Sequence, residues 1–198
     1  MNRRYTVSIV EGLRKQGYTV DDAMIDTYTK LLEKHDSTVK TMNILWWMPT
    51  PVAKEILPSD EQLAKAADED DVAVVALQRL SGEAADRTAS DFNLSDTERQ
   101  LLENTAKAFH AKGKKMVVVL NVGGVIETES WKDIPDAILL PWQPGQEVGN
   151  SVAALLAGKL TPSGKLPMTW PIKYQDAASS ANFPSESSDY CVEGDQTR

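Results

Sequence analysis

Three short apolar runs, separated by segments of helical periodicity, constrain the fold of this chain more than any other feature. The first run spans residues 71–77 (DVAVVAL), the second 116–120 (MVVVL) and the third 137–140 (AILL). Each run is rich in aliphatic residues, and none alternates regularly between polar and apolar side chains. Such runs are typical of strands that are buried on both faces, as in a parallel sheet.

Amphipathic helices are predicted between and around these runs. Ser59 and Ser95 each begin a segment with capping-box spacing, in which a Gln or Glu follows three residues later. Further apolar stripes at helical spacing begin near Thr6, near Asp21 and at Val148. This order of elements predicts an α/β layered sandwich with a mainly parallel sheet of about five or six strands, covered by helices on both faces.

The sequence predicts one folded domain followed by a polar tail. We expect the α/β domain to cover residues 1–171, because helical and apolar segments recur throughout this length. Residues 172–198 carry little apolar content and are predicted to be linker-like. Residues 43–58 contain two tryptophans and three prolines. This stretch interrupts the alternation and is predicted to form an irregular connection or an edge strand.

The charge and composition exclude several classes of function. The chain has 21 Lys and Arg against 29 Asp and Glu, a formal net charge of −8. Binding to nucleic acid or an anionic membrane would call for a clustered basic face instead. No apolar run approaches the ~18–20 residues of a membrane-spanning helix. A single cysteine, Cys191, and two histidines show no metal-site spacing. We therefore expect no nucleic-acid or membrane partner, no metal and no cofactor.

The segment after the first predicted strand, residues 78–87 (QRLSGEAADR), is the first candidate for chemistry. Ligands of open α/β sheets bind at the carboxyl ends of the strands, where this segment lies. Its charged residues are Arg79, Glu83, Asp86 and Arg87. Desolvation beside a sheet can raise the pKa of such a carboxylate, which then serves as a general acid. The competing interpretation is that the four groups form solvated surface ion pairs that shape a turn.

Other features carry weaker evidence for a functional role. Residues 121–124 (NVGG) follow the second predicted strand without the spacing of a phosphate-binding loop, so a tight turn is favoured over a mononucleotide site. Trp142 can stack on a sugar or close the edge of the core, and the core is favoured. Glu147 is predicted to lie in the first turn of a helix, where the helix dipole favours an acidic residue without any functional role. Neither His35 nor His110 lies in a recognisable base position, and we expect both to be structural.

Several segments, in the same order, resemble the second domain of glycoside hydrolase family 3 enzymes. They are residues 4–13 (RYTVSIVEGL), 72–87, 114–123 (KKMVVVLNVG), 136–149 (DAILLPWQPGQEVG) and 160–171 (LTPSGKLPMTWP). Together they cover most of residues 4–175, which makes the resemblance far more specific than any single motif. It implies a β-glucosidase-like or β-xylosidase-like enzyme that hydrolyses terminal β-linked sugars by the retaining mechanism.

The same resemblance implies roles for individual residues. In that family this domain supplies the acid/base glutamate from the loop that here reads SGEAADR, which carries the role over to Glu83. Asp86 and Arg87 would brace the loop, and Arg79 at the strand end is a weaker supporting candidate. The aspartate nucleophile of the family belongs to a separate (β/α)-barrel domain. The carbohydrate substrate would therefore be shared with a barrel domain of the parent protein.

The chain also departs from the pattern of that family. It holds no barrel domain, and the usual first strand with its glycine-rich loop, which would precede Tyr5, is missing. Ala84 stands where many relatives carry glycine, which bears on the flexibility of the loop. We therefore expect a piece of a larger glycosidase that is inactive by itself. The alternative is a non-catalytic flavodoxin-like module that binds a ligand or a partner.

Overall fold

The computed structural model describes residues 5–41, 53–79 and 87–182, which form five α-helices, three β-strands and four short 3-10 helices. The α-helices are α1 (Ile9–Lys15), α2 (Asp22–Thr41), α3 (Asp60–Glu69), α4 (Asp96–His110) and α5 (Val148–Leu156). The strands are β1 (Val72–Arg79), β2 (Lys115–Val122) and β3 (Ala137–Leu139). The 3-10 helices span Ala89–Phe92, Gly145–Glu147, Tyr174–Asp176 and Ser180–Asn182. From α3 onward the α-helices and strands therefore alternate, except that β3 follows β2 without a helix between them.

The three strands form one parallel sheet in the order β1-β2-β3. β1 and β2 pair over their full lengths, whereas β3 pairs only with the middle of β2. The terminal pairs are Val72 with Lys115, Arg79 with Val122, Val117 with Ala137, and Val119 with Leu139. Parallel pairing brings the carboxyl ends of all three strands to one edge of the sheet, which is called the rim below.

The core shows that both faces of the sheet are covered. Val118, Val119 and Leu120 of β2 are all at most 2% exposed, and successive side chains of a strand point to opposite faces. On one face, β1 and β2 join an apolar cluster with Leu102 and Phe109 of α4. The predicted fold class, an α/β domain with a parallel sheet, is therefore confirmed.

The described part of the chain holds three strands, fewer than the five or six predicted. All three apolar runs form strands, so the difference concerns the segments around them. Residues 53–58 form no ladder, and the backbone N–H of Ile56 donates to the Glu55 carboxylate instead of to a neighbouring strand. The rest of the predicted edge-strand region, residues 43–52, lies outside the described residues.

The capping boxes predicted from the sequence are both present. Ser59 and Ser95 accept hydrogen bonds through their hydroxyls from the N3 backbone N–H groups of α3 and α4, and the N3 side chains accept from the two serine N–H groups. A third capping box, at Ser8 before α1, was missed by the sequence analysis. Gly113 takes a φ of +69° after α4 and so ends that helix as predicted.

The chain after Pro171 remains in contact with the domain. The ring of Tyr174 lies 6.1 Å from the ring of Phe92 in an edge-to-face arrangement. Just before it, the Trp170 indole N–H donates to the carbonyl of Ile126 at 2.7 Å. The predicted boundary at residue 171 stays a prediction, and residues 183–198 of the predicted tail lie outside the described residues.

Candidate active site

Arg79, the last residue of β1, is buried at the rim, with 7% of its side chain exposed. Its guanidinium forms a two-pronged ion pair with Glu98, through Nη1–Oε1 at 2.6 Å and Nη2–Oε2 at 3.0 Å. The same side chain donates to the backbone carbonyls of Gln78, Asp91 and Asn93. Arg79 is therefore held rigidly between the sheet and the segment that leads into α4, and it is not a solvated surface group.

Glu98 is brought to this position by the start of α4. Its carboxylate accepts the backbone N–H of Ser95 at 2.8 Å, which is half of the capping box, and also binds Arg79. Burial raises the pKa of the Glu98 carboxyl, but the hydrogen bonds from Arg79 and Ser95 outweigh burial and lower the pKa below its ordinary value. The residue is therefore a stable carboxylate that neutralises a buried cation.

Asp91 connects Arg79 to Arg87. One carboxylate oxygen of Asp91 lies 3.1 Å from Nε of Arg79, and the other accepts from Nε of Arg87 at 2.5 Å. The backbone carbonyl of Asp91 accepts from both guanidinium groups as well, at 3.0 Å from Arg79 and 2.9 Å from Arg87. Arg87 also donates to the carbonyl of Val125 at 3.0 Å, which ties it to the chain after β2.

The structure thus brings together Arg79 and Arg87, two of the four charged residues of the candidate segment, whereas Glu83 and Asp86 lie outside the described residues. Arg79 and Arg87 flank residues 80–86, and both bind the same aspartate. The interpretation as solvated ion pairs does not hold for Arg79, and Arg87 is only 20% exposed. The roles predicted for these four residues stay predictions.

Sequence reasoning missed Asp91 and Glu98 as partners in this network. A signal for Asp91 is its spacing of four residues from Arg87, which is the spacing of helical ion pairs. Glu98 was recognised only as the N3 residue of a capping box. Its contact with Arg79 spans 19 residues of sequence, and no local pattern reports such a contact.

The chain after β2 forms a second polar arrangement near the rim. Glu127 is 8% exposed, and its carboxylate accepts from the backbone N–H of Ser130 at 2.5 Å and from the Ser130 hydroxyl at 2.7 Å. Its carbonyl accepts from the indole N–H of Trp131 at 2.6 Å. Glu127 therefore closes a turn in the chain after β2.

A cleft of about 410 Å³ lies beside this network, between the 3-10 helix that contains Asp91 and the chain after Pro171. Its lining is mixed and includes one acidic and one basic residue. The lining residues are Ala89, Ser90, Asn93, Glu127, Ile172, Lys173, Tyr174 and Gln175. Such a cleft can admit a small polar molecule. It adjoins the ion-pair network at Asn93, which lines the cleft and accepts a hydrogen bond from Arg79 through its backbone carbonyl.

Trp142, the third sequence candidate, packs against the core. Its indole ring lies 5.7 Å from the ring of Trp170, and both residues are partly buried against the main apolar cluster. This confirms the prediction that Trp142 closes the edge of the core. Its backbone φ of 57° is in the left-handed region, which is rare for a bulky residue and is tolerated here because the turn after β3 and the packing of the ring fix it.

Glu147 immediately precedes α5, and its side chain binds one residue of that helix and one residue near the start of the chain. Its carboxylate accepts from the Tyr5 hydroxyl and from the side-chain amide of Asn150. These two hydrogen bonds, that from Tyr5 first, lower the pKa of Glu147. The helix dipole alone therefore does not account for this residue, because Tyr5 is a long-range partner that the sequence analysis did not find.

His110 lies away from the rim, at the amino-terminal side of β2 and β3. Its Nε2 lies 2.9 Å from the carboxylate of Asp136, which also binds Lys115 at 2.7 Å. The hydrogen bond from Lys115, followed by those from Met116 and His110, holds the pKa of Asp136 well below its usual range. His110 thus binds a carboxylate that joins α4 to the chain before β3, and its role here is structural.

Neither a metal centre nor a membrane span is found in residues 5–41, 53–79 and 87–182. No three or more His, Cys, Asp or Glu side chains in these ranges are grouped so as to hold a metal ion. None of the helices in these ranges has the length and apolar character needed to cross a bilayer.

Comparisons with known proteins relate this geometry to a family. Residues 1–196 match the model of the glycosyl hydrolase family 3 C-terminal domain. A β-glucosidase of Ruminococcus albus is 29% identical over 197 residues, which is 98% of this chain and 20% of that protein. A β-glucosidase A of Butyrivibrio fibrisolvens is 31% identical over 212 residues, which is 94% of this chain and 24% of that protein.

Solved structures give the same result. β-Glucosidase 3B of Thermotoga neapolitana in complex with glycerol superposes with a TM-score of 0.83 at 40% identity, over 94% of this chain and 26% of that one. A β-glucosidase of Paenibacillus barengoltzii superposes with a TM-score of 0.80 at 30% identity, over 93% of this chain and 20% of that one. The chain thus spans about a fifth to a quarter of the length of these relatives. The chain therefore belongs to glycosyl hydrolase family 3, as a C-terminal domain of that family.

Proposed function

We propose that this chain supplies the general acid/base, Glu83, to a retaining β-glucosidase whose nucleophile is a carboxylate of a (β/α)-barrel domain. The observation that supports the proposal most is the family match over residues 1–196. The relatives named above are β-glucosidases, which favours an enzyme over a non-catalytic flavodoxin-like module. The substrate is proposed to be a terminal β-linked sugar held between the two domains.

The proposed reaction has two steps, and Glu83 acts in both. In the first, the carboxylic acid of Glu83 donates its proton to the glycosidic oxygen while the barrel carboxylate bonds to the anomeric carbon and the glycosidic bond breaks. In the second, the Glu83 carboxylate takes a proton from water as the water oxygen bonds to the anomeric carbon. The barrel carboxylate is then released, and Glu83 is again protonated.

The two arginines that flank the segment fit this assignment. Arg79 is neutralised by Glu98 and Asp91, and Arg87 by Asp91. An unpaired arginine next to a carboxylate would hold the pKa of that carboxylate down and prevent it from carrying a proton near neutral pH. Because the two arginines are paired elsewhere, we propose that Glu83 is free to keep the proton that the first step needs. Arg79, Asp86 and Arg87 then serve as supporting residues.

The decisive experiment is substitution of Glu83 in the full gene product that contains these 198 residues. We expect E83Q to lower kcat/KM on cellobiose by about 10²–10⁴-fold, the usual contribution of a general acid. The loss of kcat/KM on 2,4-dinitrophenyl β-glucoside should be small, because this leaving group departs without protonation. With E83A and 2,4-dinitrophenyl β-glucoside as the substrate, azide should restore kcat and yield the β-glucosyl azide, since azide attacks the anomeric carbon without a general base.

Two controls make the result specific. The matched variant E103Q removes an exposed carboxylate from α4, and its kinetics should equal those of the unchanged enzyme. The unchanged enzyme is also assayed on 2,4-dinitrophenyl β-xyloside, which reports whether xylosides are substrates. Equal losses on cellobiose and on the dinitrophenyl substrate in E83Q, or no loss on either, would show that Glu83 is not the acid/base.

A further inference from the structure

Asp91 is the only residue in the described ranges whose carboxylate is ion-paired with both Arg79 and Arg87. These two arginines are the chain positions immediately before and after residues 80–86. Both carboxylate oxygens of Asp91 are occupied, one by each arginine, at 3.1 and 2.5 Å. The ends of the segment that carries Glu83 are thus held to one common point.

This common point is itself anchored to three parts of the rim. Arg79 belongs to β1 and is fixed by Glu98 at the start of α4. Arg87 reaches the carbonyl of Val125 in the chain that follows β2. Asp91 therefore couples the ends of β1, β2 and the α4 entry into one rigid unit.

We propose that Asp91 is a positioning residue for catalysis: it fixes the separation and direction of the two chain ends from which Glu83 is presented to the glycosidic oxygen. The proposal rests on the acid/base function of Glu83 proposed above. A general acid must lie within hydrogen-bond reach of the oxygen that it protonates. A displacement of about 1 Å can cost roughly 10²-fold in rate.

The side chain of Asp91 can be removed with limited risk to the fold. It is 36% exposed, in contrast to the buried Glu98. The backbone carbonyl of Asp91 also accepts from both arginines, and a substitution leaves these two hydrogen bonds in place. The D91A variant should therefore fold while losing the carboxylate that connects Arg79 to Arg87.

The test compares substrates that do and do not require proton donation, in the full gene product. We expect D91A to lower kcat/KM on cellobiose by roughly 10- to 100-fold, within the cost of a small misplacement. The loss on 2,4-dinitrophenyl β-glucoside should be several-fold smaller. D91E, which keeps the charge, should recover part of the cellobiose activity. If Asp91 had a merely structural role, D91A would lower kcat/KM on both substrates by the same factor, because it would change only the amount of active enzyme.

The matched control is D68N. Asp68, like Asp91, forms an ion pair, with Lys112 at 2.6 Å, but it lies at the end of α3, away from the rim. D68N should leave both kcat/KM values unchanged. If D91A does not fold, as judged by thermal unfolding, D91N carries the same comparison, because its single amide oxygen can accept from only one of the two arginines.

The outcomes separate this proposal from the one on which it rests. Suppose that E83Q loses kcat/KM selectively on cellobiose, whereas D91A and D91N lose kcat/KM equally on both substrates or on neither. The positioning role of Asp91 is then wrong, and the function of Glu83 stands. If E83Q itself shows no selective loss, the acid/base assignment fails, and the positioning role fails with it.

Discussion

Arg79 carries a positive charge at a place where only 7% of its side chain is exposed, and the side chain of its partner Glu98 is 11% exposed. Such a pair contributes little net stability by itself, because both charges have lost their hydration. Removing one partner is costly, however, because the remaining charge is buried without compensation. At the rim, separation of β1 from the start of α4 is therefore unfavourable, because it would leave Arg79 or Glu98 buried without its partner.

Substitution of Glu98 by glutamine should therefore destabilise the chain at neutral pH. We expect a loss of about 3 kcal/mol, at the lower end of the range for a broken buried pair, because Asp91 still pairs with Arg79. Urea unfolding followed by tryptophan fluorescence measures the loss. The exposed E103Q variant on the same helix is the control and should change the free energy of unfolding by less than about 0.5 kcal/mol.

The difference between the unchanged chain and E98Q should also depend on pH. The pKa of Glu98 is lower in the folded chain than in the unfolded one. Its contribution is therefore fully present above the unfolded pKa of about 4.3 and is lost as the pH falls through the folded pKa. The gap in unfolding free energy should be largest near neutral pH and should narrow below about pH 4. A gap that stays constant down to acidic pH would contradict the pairing.

Individual residues differ in how far the sequence could predict them. Local spacing identified Ser95 and Glu98 as a capping box, and the structure confirms it. The second role of Glu98, on Arg79, depends on how β1 and α4 pack, and no spacing rule reports that contact. For the same reason the sequence left Arg79 open as a solvated group, whereas the structure buries it.

At the scale of elements, α1 and α5 approach each other more closely than side chains would allow. A Cβ atom on Gly12 would lie 2.0 Å from the backbone oxygen of Gly149, and a Cβ atom on Gly149 would lie 1.9 Å from the backbone oxygen of Ser8. The backbone N–H of Gly149 also donates to the carbonyl of Val7 at 3.1 Å. The two glycines therefore allow direct backbone contact between these helices.

Replacement of Gly149 by alanine should destabilise the domain, because the clash involves backbone atoms that cannot rotate away. The cost is expected at about 1–3 kcal/mol, the range for overpacking, despite the better helix propensity of alanine. The matched control is G164A, because a Cβ atom at Gly164 meets nothing within 4 Å. Thermal unfolding of both variants measures the difference. Equal melting temperatures would show that α1 and α5 do not need this contact.

The strands show where prediction from sequence stops at this scale. The runs 71–77 and 116–120 gave the positions of β1 and β2, but β1 extends to Arg79 and β2 from Lys115 to Val122. Apolar patterning reports buried side chains, whereas the ladder depends on backbone hydrogen bonds that continue past polar residues. β3 stops at Leu139, one residue short of the predicted end, and Pro141, which lacks an N–H to donate, follows closely.

At the scale of the whole molecule, the proposed retaining mechanism sets a requirement on the distance between its two carboxyl groups. Two carboxyl groups must lie only about 5–5.5 Å apart across the sugar. In the described ranges Asp91 is the carboxylate bound to both residues that flank the Glu83 segment, but both of its oxygens bind arginines. A carboxylate held in this way is a poor nucleophile, so Asp91 does not fit that role, and the second catalytic group remains the barrel carboxylate proposed above.

The purified 198-residue chain should therefore show no turnover of 4-nitrophenyl β-glucoside, while the full gene product hydrolyses it. In the proposed mechanism the barrel carboxylate is the group that bonds to the anomeric carbon, and proton donation by Glu83 alone would leave the oxocarbenium-like transition state unstabilised. Release of nitrophenol, followed at alkaline pH after quenching, measures this. The E83Q form of the same chain controls for a contaminating glucosidase, which would act equally in both samples. Turnover by the isolated chain that disappears in E83Q would show that both catalytic groups lie within these 198 residues.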